Sequence, residues 1–132
     1  MNKLNPLDAA DIAVIVDEAR KKAETFKKDK LKTNQIRNFY SAIAQMRIKF
    51  QEAKKSGGEN SGYEAVKTDL IMLKPKLAYA AGRQAAVKAN FYGFMTDAIQ
   101  AVEDSTDKNK AMENYFSLIE SVVGFHKYFG DK

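Results

Sequence analysis

Two long stretches of the sequence contain basic residues and no acidic ones. The first lies between Asp29 and Glu52, and the second lies between Asp69 and Asp97. Helical surfaces usually mix both signs, because opposite charges three or four residues apart stabilise a helix. Two stretches without such pairs are typical of a surface that binds phosphate groups through Lys and Arg. A solvated basic face, formed by chance, is the alternative that composition leaves open.

The basic residues of these stretches are Lys30, Lys32, Arg37, Arg47 and Lys49 in the first, and Lys74, Lys76, Arg83 and Lys88 in the second. Seven of them are the candidate phosphate-binding residues, namely Arg37, Arg47, Lys49, Lys74, Lys76, Arg83 and Lys88. At about 100° per residue, Arg37 lies nearly opposite the apolar stripe of its predicted helix, whereas Arg47 flanks that stripe. One helix therefore does not present all its bases on one face, and an intramolecular ion pair is the alternative for Arg47.

Residue types that serve catalysis are scarce. The absence of Cys excludes thiolate nucleophiles, disulfides and Cys-based zinc sites. The single histidine, His126, falls on a predicted apolar stripe, which favours a structural role, and a triad or zinc site needs partners that the sequence lacks. Close carboxylates such as Asp8 and Asp11 have no hydrophobic surroundings that would raise a pKa for acid catalysis. The sequence therefore predicts no enzymatic activity, no catalytic residue, no metal, no cofactor and no small-molecule substrate.

Length and composition predict a single domain. The chain has 132 residues, of which 45% are hydrophobic, and bases exceed acids by 22 to 17. Chains of roughly 100 to 150 residues can bury a core without disulfides or metals. No window approaches the ~20 apolar residues of a membrane span, and the first residues lack the apolar region of a secretory signal. We therefore expect one domain over residues 1–132, in the cytoplasm and without membrane association.

Apolar residues recur at three- and four-residue spacing in five segments, which predicts five amphipathic helices. The stripes comprise Ile12, Ile15, Ala19, Ala23 and Phe26; Ile36, Phe39, Tyr40, Ile43, Met46 and Phe50; Tyr63, Val66, Leu70, Leu73 and Leu77; Val87, Phe91, Phe94, Ala98 and Val102; and Met112, Phe116, Ile119, Val123 and His126. No segment alternates apolar and polar residues for long enough to predict a strand. The predicted fold class is all-α, a compact single-domain bundle of about five helices.

Local signals predict where these helices begin and end. Asn5 is the predicted N-cap of the first helix and Pro6 its first residue. Glycines near residues 55–62 predict a flexible loop. A proline within residues 74–76 predicts a kink or break, because it removes a backbone donor and disfavours helical geometry at the residue before it. A glycine within residues 82–84 predicts a second kink or break.

Three blocks of the sequence resemble one known family. They are TNQIRNFY at residues 33–40, LKPKLAYAAGR at residues 73–83 and FHKYFG at residues 125–130. In order and separation they are similar to the small subunit of the type III-A CRISPR effector complex, the Csm complex. The match spans most of the chain. The first thirty residues and the loop at residues 54–62 contribute nothing distinctive.

The resemblance implies a helical protein without enzymatic activity. Copies of such a subunit stack along a ribonucleoprotein beside the backbone subunits, help to hold the guide–target RNA duplex and bridge neighbouring subunits. The implied partners are guide RNA, target RNA, the backbone and large subunits, and other copies of the chain. Target cleavage then belongs to the backbone subunit, while the DNA nuclease and cyclic oligoadenylate synthesis belong to the large subunit.

A subunit that accepts any guide sequence should contact the RNA backbone and not the base edges. The candidate residues within the matching blocks therefore rank first for RNA binding, namely Arg37, Lys74, Lys76 and Arg83. Those outside the blocks rank second, namely Arg47, Lys49 and Lys88. Tyr79 and Tyr92 lie off the apolar stripes, where a tyrosine ring can stack on a base or contact another protein.

Two other functional classes remain open at this level. One is a helical protein–protein adaptor or homodimer whose basic surface binds acidic protein partners. The other is a peripheral membrane protein, which the apolar stripes disfavour because they are sized to pack against one another and not to enter a lipid interface.

Overall fold

The computed structural model describes residues 2–130 of the chain, and these residues form five α-helices. The helices are α1 (Ile12–Lys28), α2 (Thr33–Lys54), α3 (Ser61–Arg83), α4 (Tyr92–Glu103) and α5 (Lys108–Phe129). Since residues 2–130 contain no strand, the predicted all-α bundle of five helices is confirmed. Met1, Asp131 and Lys132, which belong to the predicted domain, lie outside the described residues.

Helix α5 lies at the centre of the bundle and contacts each of the other four helices. It is apolar around much of its circumference, with Met112, Tyr115, Leu118 and Val122 all buried. Such a helix is stable in water only when its neighbours cover it. Short elements complete the fold: 3-10 turns at Asn2–Leu4 and Leu7–Ala9, and a π-helical turn at Val87–Phe91 that leads directly into α4.

The first helix begins later than predicted. Asn5 and Pro6 precede a 3-10 turn, and α1 starts after Asp11, whose carboxylate caps it. Leu7 in that turn is fully buried, whereas Ile12, predicted on the apolar stripe, is exposed. Tertiary burial of the N-terminal segment thus overrides the local signal for a helix start at Asn5 and Pro6.

Helix α3 continues through Pro75, so the chain does not break at residues 74–76. The ring removes one backbone donor, but Leu73 and Leu77 on either side are buried and hold the helix against the core. A kink at Pro75 stays a prediction, as does flexibility of the loop near residues 55–62. Helix α3 ends at Arg83, where Gln84 adopts an extended backbone (φ −131°, ψ 113°).

The hydroxyl of Tyr115 is buried in α5 without a hydrogen-bond partner among residues 2–130. A buried, unsatisfied hydroxyl destabilises the folded state, so Tyr115→Phe should raise the free energy of unfolding by about 1 kcal/mol. Burial also raises the pKa of this phenol. Above about pH 10 the Tyr115 hydroxyl ionises in the unfolded wild type but not in the folded one, so the free energy of unfolding of the wild type falls. The stability difference between Tyr115→Phe and the wild type therefore grows with pH.

Urea denaturation of Tyr115→Phe at neutral pH and above about pH 10 measures both effects. Tyr128→Phe is the matched control, because Tyr128 is exposed on the same helix. A Tyr115→Phe variant less stable than the wild type at both pH values would show that the hydroxyl stabilises the fold.

Candidate nucleic-acid interface

Three of the seven predicted RNA-binding residues form ion pairs with acids from other helices. The pairs are Arg47–Glu120, Lys49–Asp69 (3.1 Å) and Lys74–Glu103 (2.9 Å). The two stretches that lack acids in sequence are thus partly neutralised in space by acids from distant segments. All six side chains keep some solvent exposure, so each pair stabilises the fold by at most about 1 kcal/mol.

The other four predicted residues are exposed and form no ion pair within residues 2–130. They are Arg37, Lys76, Arg83 and Lys88. Nη1 of Arg83 donates a hydrogen bond to the Tyr79 hydroxyl at 2.8 Å. These four cations remain available to an external anion.

A groove separates α2 from α3. It is lined from α2 by Asn38, Phe39, Ala42, Gln45, Met46, Ile48 and Lys49, and from α3 by Asp69, Met72, Leu73, Pro75, Lys76 and Tyr79. On α3 the residues Met72, Lys76, Tyr79 and Arg83 follow one another at four, three and four positions, which places them on one face of the helix. This α2–α3 groove therefore combines exposed apolar groups with the Lys76 cation, which forms no ion pair with a described residue.

Several helix ends meet at one end of the bundle. The Phe91 ring of the π-helical turn lies 5.3 Å from the Phe26 ring of α1 and 5.6 Å from the Phe39 ring of α2, measured between centroids. Asn90 Nδ2 donates a hydrogen bond to the Asp29 carboxylate at 2.7 Å. The end of α1, the start of α2 and the turn after α3 are therefore neighbours.

His126 joins the end of α5 to the same region. Its Nε2 lies 2.8 Å from the backbone oxygen of Leu31, and both residues are buried. Because a carbonyl oxygen only accepts, Nε2 carries the donated proton. The bond anchors the α1–α2 link next to Lys30, whose backbone is left-handed (φ 65°). His126 is buried, as its position on the apolar stripe predicts.

The side chains at this end of the bundle are strongly basic. Residues 27–37, 83–91 and 126–130 contain eight Lys and Arg residues and one acid, Asp29, which already accepts from Asn90. We call these bases the basic end: Lys27, Lys28, Lys30, Lys32, Arg37, Arg83, Lys88 and Lys127. Cations gathered on one surface attract phosphates more strongly than the same cations spread over the molecule.

At the opposite end of the bundle, acidic residues outnumber basic ones. Residues 5–11, 55–64 and 104–110 meet there and contain six acids and three bases. Asp8 accepts the backbone N–H of Asp107 at 2.8 Å, which connects the N-terminal segment to the α4–α5 turn. Hydrogen bonds from Asn5 and Gln100 lower the pKa of Asp104, which keeps that carboxylate ionised. The net charge of the chain is therefore segregated along the bundle.

Five members of the basic end were not predicted as site residues. They are Lys27, Lys28, Lys30, Lys32 and Lys127. The run at residues 27–30 also suits the negative end of a helix dipole, and that explanation needs no ligand. Only the meeting of the helix ends in space brings these lysines beside Arg37, Arg83 and Lys88.

Comparison with known families gives a match over most of the chain. Residues 9–132 match the family model described as Csm2 Type III-A. The chain belongs to this family. The predicted resemblance is thereby confirmed, and the chain is a small subunit of the type III-A Csm complex. No curated protein and no solved structure matches it.

The three blocks that carry the Csm2 resemblance converge in the structure. Residues 33–40 begin α2 at the basic end, residues 73–83 form the last half of α3, and residues 125–130 end α5 beside the His126–Leu31 bond. Within residues 2–130 of this Csm2 chain, no helix is long and apolar enough to cross a membrane. That part of the chain also has no group of three or more His, Asp or Glu residues placed to hold a metal ion.

Proposed function

We propose that the chain is a non-catalytic subunit that binds RNA within the type III-A CRISPR ribonucleoprotein. The observation that carries the proposal is the basic end, where residues 27–37, 83–91 and 126–130 contain eight bases and one acid. Contacts of Lys and Arg with phosphates do not depend on sequence, which suits a subunit that accepts any guide. In this function the chain stacks along the guide–target RNA and contributes to antiviral defence in the cytoplasm.

The structure supports separate roles for the predicted bases. Arg37, Arg83 and Lys88 of the basic end, and Lys76 of the α2–α3 groove, are the proposed phosphate contacts, because no described acid neutralises them. The bases of the three ion pairs are instead proposed to stabilise the packing of neighbouring helices through those pairs. They are Arg47, Lys49 and Lys74.

The proposed absence of catalysis is supported by the surroundings of the ionisable groups. His126 is buried and donates to a backbone oxygen, so it is not exposed to a substrate. Tyr115 is buried too, and burial raises the pKa of its hydroxyl, which disfavours a phenolate. Chemical steps are therefore proposed to belong to neighbouring subunits, and this chain holds RNA.

A second function is favoured by the apolar part of the α2–α3 groove. Ile48, Met72 and Tyr79 are 59%, 55% and 66% exposed beside the cation of Lys76. An acidic, amphipathic protein segment could bind such a surface. In that case the chain is an adaptor between proteins, and its basic surface contacts acid side chains.

Purification of the tagged chain from cells that express a type III-A system tests the proposal. We expect CRISPR RNA, the backbone and large subunits and untagged copies of the chain to co-elute. Washing at increasing salt should release RNA from the isolated chain, because phosphate contacts weaken as salt rises. Recovery of an acidic protein partner without RNA would instead establish the adaptor function.

A further inference from the structure

The ring of Tyr79 is held at the surface of α3 by a cation. The Tyr79 side chain is 66% exposed, although tyrosine gains stability mainly when its ring is covered. Arg83, four residues later, donates from Nη1 to the Tyr79 hydroxyl at 2.8 Å, and its guanidinium carbon lies 5.5 Å from the ring centroid. The two contacts restrain the ring in one orientation without covering it. Core packing therefore does not explain the position of this ring.

A third group with a suitable charge lies one turn away. Lys76 precedes Tyr79 by three residues on the same face of α3, about 4.5 Å along the helix axis. Lys76 is exposed and forms no ion pair within residues 2–130. An aromatic face between two cations matches the two parts of a nucleotide, a planar base and a charged phosphate.

We propose that the Tyr79 ring, held in place by Arg83, is a stacking site for an unpaired RNA base, and that Lys76 binds the adjacent phosphate. This inference rests on the proposed RNA-binding function and specifies the form of RNA at the end of α3. A base within a duplex is covered on both faces by its neighbours, so its face is not open to a tyrosine. The site therefore selects single-stranded nucleotides, and it tolerates sequence because every base has an aromatic face.

Removal of the ring separates stacking from phosphate attraction. The probes are two labelled single-stranded RNAs of equal length, one with all its bases and one with abasic residues that keep every phosphate. For the wild type we expect about tenfold tighter binding of the RNA with bases. Tyr79→Leu should weaken binding of that RNA by about tenfold and leave binding of the abasic RNA unchanged.

Two further variants serve as controls. Tyr79→Phe keeps the ring and loses only the hydroxyl bonded to Arg83, so it should retain most of the affinity for the RNA with bases. Tyr128→Leu removes a tyrosine that is 84% exposed at the end of α5, next to Lys127, and it should bind both RNAs like the wild type. Circular dichroism of all variants verifies that helical content is unchanged.

The outcomes distinguish failure of this site from failure of RNA binding as a whole. If Tyr79→Leu weakens binding of both RNAs equally, or of neither, the stacking site is overturned. Salt-dependent binding by the wild type would still support the proposed function. If Tyr79→Leu binds RNA normally but no longer co-elutes with the other subunits, the groove is a protein contact. If the wild type binds neither RNA at low salt, both proposals are overturned.

Discussion

Replacement of Arg37, Arg83 and Lys88 by glutamine should weaken binding of single-stranded RNA by about 10- to 100-fold at low salt. All three residues belong to the basic end and form no ion pair within residues 2–130. The slope of log affinity against log salt should also become shallower by about two units, at about 0.7 per lost phosphate contact. Because the side chains are exposed, thermal unfolding should change little.

The matched control removes the same number of charges from the ion-paired group. Glutamine at Arg47, Lys49 and Lys74 also lowers the formal charge of +5 by three units, but each of these residues pairs with an acid. We expect only a small loss of RNA affinity, and up to about 1 kcal/mol of lost stability for each broken pair.

Fluorescence anisotropy with one labelled RNA over a series of salt concentrations compares the two triple variants directly. A large loss confined to the first variant locates the phosphate contacts at the basic end. Equal losses would show that net charge alone attracts RNA, and the proposed site would then be wrong.

The helices follow from the sequence because their signals are local. Apolar spacing alone indicates which side of α2 is buried, and Ile36, Ile43 and Phe50 lie in the core as predicted. The N-terminal start was not predictable in the same way. Leu7 is buried against α4 and α5, which lie much later in the sequence, and this burial competes with the local capping signal. The residues around Asn5 alone do not indicate these distant contacts.

The pairing of the candidate bases with acids was also not predictable from local sequence. A stretch without acids predicts unpaired bases only when the neighbouring helices also lack acids. Lys49 and Asp69 come together because α2 packs against α3, and Lys74 meets Glu103 because α3 packs against α4. Arg37 was placed correctly on the exposed side of α2 by its angular position, since that property depends on one helix alone.

The basic end is a consequence of topology. Its members lie near the ends of α1, α3 and α5, near the start of α2 and in the turn before α4. The bases at the ends of α1, α3 and α5 alone suit the negative ends of helix dipoles and need no ligand. The aromatic contacts of Phe91 with Phe26 and Phe39 bring three of these segments together. A charge pattern dispersed over the sequence thus becomes one surface in the folded chain.

Replacement by alanine should change the free energy of unfolding in opposite directions at two glycines of α3, Gly62 and Gly82. A Cβ added at Gly62 would lie 2.5 Å from Cε1 of the Phe50 ring, whereas a Cβ at Gly82 meets nothing within 4 Å. Phe50 is buried and packs edge-on against Phe116 at 5.4 Å, so its ring has little room to move. Gly62→Ala should therefore lower the free energy of unfolding by about 1 to 3 kcal/mol, despite the better helix propensity of alanine.

Gly82→Ala is the internal control, because it makes the same chemical change in the same helix. Without a steric cost, alanine restricts the unfolded chain and favours the helix, so stability should rise by up to about 1 kcal/mol. Thermal and urea unfolding followed by circular dichroism give both differences. A Gly62→Ala variant as stable as Gly82→Ala would mean that α2 and α3 approach less closely at Phe50 than the 2.5 Å separation requires. Opposite signs, if measured, establish that α3 at Gly62 packs too closely against the Phe50 ring of α2 to accept a Cβ.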